Sequence, residues 1–256
     1  MSMSLPSPPI EFWWPNFIKA FFVISNTFRP GIDFSVEQSS NSMQCFIISV
    51  TNLLPDPKFR QLFTNFILMS PEVIEDLKLA LPKFFIIHGD FLNSMIQNPS
   101  SFLIECSKSN DTMFIWVYLL QAYVIQQYKN AGHKIDQPTL NQMKELYNVE
   151  RMSKYDWGNP IWFVIHMCAL YAPEPIAQSF LVYRDLLTCL QYLLPCPKCR
   201  EHLADNLKHI NLETCAKTRD NLFRCSWELH NIVNASVSPP KPQLSFNEAI
   251  SIYIPK

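Results

Sequence analysis

The stretch Leu193-Leu-Pro-Cys-Pro-Lys-Cys-Arg-Glu201 is nearly repeated 140 residues earlier, as Leu53-Leu-Pro-Asp-Pro-Lys-Phe-Arg-Gln61. The later copy holds two cysteines and the earlier one holds none. Pro195 and Pro197 flank Cys196, and proline suits the first turn of a helix, where a missing N–H costs nothing. The phrase therefore predicts a helix N-terminus. Residues three apart on such a turn share a face, so Cys196 and Cys199 come within bonding reach. The helix dipole, with Lys198 and Arg200 nearby, favours a thiolate in this pair.

Working outward, the repeat extends in both directions. Phe21–Ser25 (FFVIS) aligns with Trp162–His166 (WFVIH), and Asp90–Ser94 (DFLNS) with Asn231–Ala235 (NIVNA), each 141 residues apart. Three matches in order at nearly one offset point to a duplicated helical unit. Apolar residues recur at helical spacing through nearly every segment between prolines, and alternating strand patterns are scarce. The expected fold is all-α. The opening MSMSLPSPP reads as a flexible arm, and the very apolar segment 111–130 should lie between other helices.

Composition removes several functions. Apolar residues make up 48% and charged residues 17% of 256, which fits a packed protein. A net charge of −1 gives no reason to expect a nucleic-acid partner. The chain has 4 glycines, Gly31, Gly89, Gly132 and Gly158, too far apart for a GxGxxG loop or a P-loop. The run FWWPNFIKAFFVIS lacks a basic leader and carries Pro15, Asn16 and Lys19. The run MFIWVYLLQAYVIQQY turns polar at Gln121, Gln126 and Gln127, so no membrane span is expected.

Of 8 cysteines, Cys196 and Cys199 form the one tight pair, which argues against a disulfide framework. CPKC is also a zinc-ribbon spelling, with His202, His209, Cys215 and Cys225 downstream. Ten residues separate the last two, in what reads as the approach to and body of one helix. That spacing turns them to different faces, so no metal ligand set is expected. The other cysteines (45, 106, 168, 189, 215 and 225) read as buried thiols, with Cys189–Cys225 and Cys168–Cys189 as open pairings.

Two further i,i+4 pairs accompany the cysteines. Trp162 and His166 share a helix face with Tyr171 at its end, and His230 and Asn234 share another, with Asn231 adjacent. Together WFVIHMCALY, CPKC, HNIVN and Lys241-Pro242 follow the order W-x-x-x-H-x-x-x-x-Y, CxxC, H-N-x-V-N and K-P. In this the last hundred residues resemble the Erv/ALR family of FAD-linked sulfhydryl oxidases. The WGNPIW lead-in is most similar to those of large DNA viruses.

The resemblance implies a four-helix bundle holding FAD. Gly158, Trp162, His166 and Tyr171 would contact the cofactor from one side, and His230, Asn231, Asn234 and Lys241 from the other. Cys196 would be the interchange thiol and Cys199 the flavin-proximal one. The reaction it implies is oxidation of a dithiol protein, such as a thioredoxin-like carrier, with O2 as acceptor and peroxide as product. The implied setting is the cytoplasm or nucleus of an infected cell, or the virion, as a late viral protein, with the mitochondrial intermembrane space as the alternative. The structural cysteine that cellular members place before H-N is replaced by Trp227.

In the first copy Asp56, Phe59, Ser25, Phe21 and Gly89 stand where the second has Cys196, Cys199, His166, Trp162 and His230. Family members pair as two-fold dimers. The expected organisation is therefore a degenerate bundle in residues 1–105, linking helices in 106–150, and a catalytic domain in 151–256. This is an intrachain pseudodimer, open to a further pairing of two chains. A zinc-stabilised interaction module and an inactive structural or virion protein of the same fold are the competing readings.

Overall fold

Pro57 and Pro197 each open an eleven-residue helix, and the residue before each caps it. The Asp56 carboxylate accepts from the Lys58 amide at 2.7 Å, and the Cys196 sulfur accepts from the Cys199 amide at 3.2 Å. Six residues behind each arginine, the same carbonyl is captured: Arg60 donates to Leu54 at 2.6 Å, and Arg200 to Leu194 at 3.5 Å. The repeated phrase thus folds twice into the same cap.

A computed structural model describes residues 5–148, 151–237 and 239–255. Its α-helices are α1 (Ile10–Thr27), α2 (Val36–Leu53), α3 (Pro57–Ile67), α4 (Pro71–Ala80), α5 (Pro82–Ile87), α6 (Gly89–Gln97), α7 (Phe102–Cys106), α8 (Asn110–Asn130) and α9 (Leu140–Leu146). They continue with α10 (Lys154–Leu170), α11 (Ile176–Leu193), α12 (Pro197–Leu207), α13 (Leu212–Cys215), α14 (Arg219–Ser236) and α15 (Phe246–Ile252). The fold is all-α, as the periodicity predicts. Among the described residues, no helix is long and apolar enough to cross a membrane.

Helices related by the repeat pack on one another: α1 against α10 and, with the most extensive contact of any helix pair, α2 against α11. In each half a further long rod lies on the first helix, α8 on α1 and α14 on α10. The structure therefore differs from the sequence reading at this position. Asp90–Ser94 lies on α6, which packs with α5 and the turn at Pro99–Ser101, while residues 110–130 are a buried rod, lying among other helices as their apolar sequence predicts. Met113, Trp116, Leu119, Leu120 and Ala122 are all fully buried, so α8 has no polar stripe to give to solvent.

Two other boundaries move. α10 starts at Lys154, and Pro160 lies inside it, because Ser153 and Asp156 form a capping box ahead of the proline. In the expected N-terminal arm, residues 1–4 lie outside the described residues. The remainder is held, with Pro8 buried and Ser7 donating to the Pro55 carbonyl at 3.2 Å.

Where the second copy carries its motif residues, the first is filled with core. Phe21 and Ser25 are buried, and the Ser25 hydroxyl donates back to Phe22. Phe59 meets Trp13 edge-on at 5.4 Å.

One ion pair ties the halves beside the cysteines. Arg200 reaches Asp33 at 2.7 Å with only 12% of its side chain exposed, and its guanidinium lies 5.4 Å from the Phe34 ring centre. Asp33→Ala leaves this cation without its partner and is expected to cost about 1–2 kcal/mol in urea unfolding. An unchanged midpoint would show the pair to be solvated.

Candidate functional site

His166 is buried between α10 and α14, and its neighbours fix its proton. The Ser226 hydroxyl donates to the Phe223 carbonyl at 2.6 Å, so its oxygen is left to accept from His166 Nδ1 at 2.8 Å. With Nδ1 protonated, His166 Nε2 is an acceptor, and His230 Nδ1 donates to it at 2.9 Å. Both rings are neutral in this arrangement. Burial holds His166 well below the ordinary imidazole range, with the charge of His230 adding to the effect. Burial and the nearby Lys241 lower His230 to about 4.

The relay sets a flat wall. The Trp162 indole stacks on His230 at 4.0 Å between ring centres and 5° between planes. This pair forms one side of a cavity of about 170 Å³, with Ile165, Leu190, Leu194, Leu203 and Val233 as its apolar lining. Cys199 and His202 come in from α12, Gly158 from α10, and Lys241 from the segment after α14. A Cβ built on Gly158 would meet nothing within 4 Å, so that side of the slot is open. Flat aromatic walls, an apolar lining, a sulfur and one cation are the donor set that suits a planar heterocycle carrying phosphate.

The two sulfurs are placed differently. Cys199 lines the cavity, whereas Cys196 lies outside the lining, half-exposed at the start of α12. Arg200, expected near the thiols, is turned away to Asp33.

Of the residues named from the sequence, Gly158, Trp162, Cys199, His230 and Lys241 meet at the cavity, with His166 directly behind it. Tyr171 does not line it; its hydroxyl is buried and donates to the Tyr253 carbonyl at 3.1 Å. Asn231 faces a neighbouring groove and donates to the Leu244 carbonyl at 3.3 Å. Asn234 is absent from the lining and acts through its backbone, its carbonyl accepting from the Lys241 amide at 2.9 Å. Sequence reasoning missed Ser226, although it stands four residues before His230 on the same face of α14. It also missed the apolar lining, which no local pattern marks.

Cys215 and Cys225, read as separate buried thiols, are joined in a disulfide. Cys215 sits on the four-residue α13, which folds back on α14, so the two are not on one helix and the argument from helix faces does not hold. The bond also removes two of the four candidate zinc ligands downstream of CPKC. Closing so short a loop contributes about 3 kcal/mol in the chain-entropy picture. Replacing both cysteines by alanine is expected to lower stability by that amount in urea and to leave the cavity residues in place.

Comparison with known proteins bears on the same half of the chain. The profile of the Erv1 / Alr family matches residues 159–252. A protein of Acanthamoeba polyphaga mimivirus, named as a probable FAD-linked sulfhydryl oxidase, is 35% identical over 101 residues, covering 39% of this chain and 69% of the relative. A protein of invertebrate iridescent virus 3, also named for that activity, is 31% identical over 98 residues, 38% of this chain. The chain spans 65% of that relative's length. A rice FAD-linked sulfhydryl oxidase is 29% identical over 90 residues, 35% of this chain and 45% of the relative. No solved structure matches. The motif order, the paired sulfurs beside a stacked Trp–His wall, and the mimivirus relative agree: the chain belongs to the Erv1/Alr family.

Proposed function

We propose that this chain is a FAD-linked thiol oxidase that closes pairs of protein thiols into disulfides through Cys196 and Cys199. The observation that carries this reading is the placing of the two cysteines on one helix turn, Cys199 in the cavity wall and Cys196 outside the lining at the helix start, where its sulfur accepts from the Cys199 amide. A substrate thiolate attacks Cys196 of the oxidised pair. The Cys196–Cys199 bond breaks, and Cys199 leaves as a thiolate on the cavity side. The second substrate thiol then attacks the substrate sulfur of the mixed disulfide. The substrate departs oxidised, and Cys196 and Cys199 remain as a dithiol.

FAD held in the cavity would supply the two-electron acceptor for that dithiol and would pass the electrons to O2, giving H2O2. Trp162 and His230 would hold its ring system by stacking, and Lys241 suits its phosphates. The neutral His166–His230 relay keeps that wall rigid and uncharged. The sequence holds no second CxxC or CxC. A dithiol partner of thioredoxin-like chemistry is therefore proposed to reach Cys196 directly.

The N-terminal half takes the seat of a second subunit, giving a pseudodimer with one FAD per chain. Its support is the pairing of α1 with α10 and α2 with α11, and the aromatic filling at Phe21 and Phe59.

The purified chain is expected to be yellow, with one flavin per chain, and Trp162→Ala to lose most of it on gel filtration. A colourless protein, or two flavins per chain, would overturn the reading in its first or second part.

A further inference from the structure

Away from the cavity, and apart from the Cys215–Cys225 disulfide, a pair of free thiols meets. Cys45 on α2 and Cys189 on α11 lie across the most extensive helix–helix contact in the chain and line one open groove with Ser42 and Tyr192, where the Cys45 thiol also donates to the Asp185 carbonyl at 3.9 Å. They stand 144 residues apart in sequence, so only the packing of one half on the other brings them together. Ser39, Ser42 and Ser49 are buried along α2, small side chains that let the helices approach.

The two sulfurs are unequal. Cys45 is half-buried at the groove, while Cys189 is only 4% exposed. The neighbouring Cys189 thiol lowers the Cys45 thiol to about 7 against the opposing effect of burial. The same neighbour and burial together raise Cys189. Cys45, the more accessible of the two at the groove, is therefore the nucleophile. Cys106 and Cys168 differ: both are buried, and desolvation raises both thiols.

We propose that Cys45 and Cys189 form a second redox site, a dithiol that closes reversibly into a disulfide bolting α2 to α11 by exchange with a low-molecular-weight disulfide. The Cys45 thiolate attacks one sulfur of R–S–S–R, and the first R–S⁻ leaves. Cys189 then gives up its proton and attacks the Cys45 sulfur, expelling the second R–S⁻. The two protein thiols are oxidised, the small disulfide is reduced, and the protons released from Cys45 and Cys189 end on two R–SH.

The full-length chain, fully reduced, is incubated in its native state with oxidised glutathione, blocked with an alkylating agent, and digested without reduction. The expected product is a peptide pair joined through Cys45 and Cys189, two hydrogens lighter than the sum of the free peptides. The thermal midpoint is expected to rise by about 5–10 °C in a Cys196→Ser/Cys199→Ser chain relative to the same chain carrying Cys45→Ser, so that re-formation of the Cys215–Cys225 bond is common to both and cancels. Cys45→Ser and Cys45→Ala are each expected to lose the cross-link and the shift while oxidising dithiothreitol within about twofold of the parent chain. A stable glutathione adduct on Cys45 without the bridge, or both thiols remaining alkylatable, would overturn the proposal. Failure of the oxidase reading would appear instead as absent O2 uptake, with the cross-link unaffected.

Discussion

Cys196→Ser and Cys199→Ser are each expected to lower thiol oxidation by at least about 1000-fold, because each removes one end of an exchange that has no substitute. The two variants differ in what they leave behind. In Cys199→Ser the Cys196 thiol can still attack a disulfide such as oxidised glutathione, keeping one half as a mixed disulfide and expelling the other as a thiol, with no neighbouring sulfur to displace it, so this adduct should be stable. In Cys196→Ser the remaining sulfur lines the cavity wall, and a bulky protein disulfide should form no adduct with it. Serine is itself a good N-cap, so α12 keeps its first turn in Cys196→Ser and misfolding does not confuse the result. O2 uptake with dithiothreitol and intact-mass analysis of trapped adducts read both effects. A Cys196→Ser chain that kept a tenth of the rate on a protein dithiol would disprove the assigned order of the sulfurs.

A loss of stability between pH 7 and pH 5 is the second large effect, and it comes from the histidine relay. In the unfolded chain both imidazoles titrate near the ordinary histidine value of 6.5, whereas burial brings folded His230 to about 4 and His166 well below 6.5. Across that window the unfolded state binds more protons, so stability rises with pH. It is complete above about 6.5 and falls as pH drops toward 4. For His230 alone the full loss is about 3 kcal/mol, of which roughly 2 is reached by pH 5. The carboxylates of Asp156 and Glu248 are lowered from 3.8 and 4.5 by their serine capping partners, so they act below this window. Urea unfolding at the two pH values should show the difference in the parent chain and a smaller one in His230→Gln. An equal difference in both would remove the relay from the account.

The chemistry was more legible than the packing that frames it. Trp162, His166 and His230 could be read because helical spacing puts them on shared faces, and Cys196 and Cys199 because proline marks a helix start. Tyr171, Asn231 and Asn234 belong to the same motifs, yet they turn to Tyr253, to Leu244 and, through backbone alone, to Lys241. A motif fixes residue order, and the tertiary partners decide which side chains reach the cavity. The Cys215–Cys225 bond was hidden because a four-residue helix has too little sequence to announce a reversal. Residues 110–130 were readable as a buried helix but not as the counterpart of α14, since their words share nothing with the HNIVN segment. The meeting of Arg200 with Asp33, and of Cys45 with Cys189, depends on the two halves being packed together.

The matched caps at Asp56 and Cys196 carry a consequence for motion. A carboxylate accepts the Lys58 amide whatever the redox state, whereas the Cys196 sulfur that accepts the Cys199 amide is itself the atom that changes its bonding partner. The opening turn of α12 should therefore slacken and tighten once per turnover while its twin stays clamped. Hydrogen exchange at the Cys199 amide then becomes a gauge of oxidation state, with the Lys58 amide as a fixed baseline inside the same molecule.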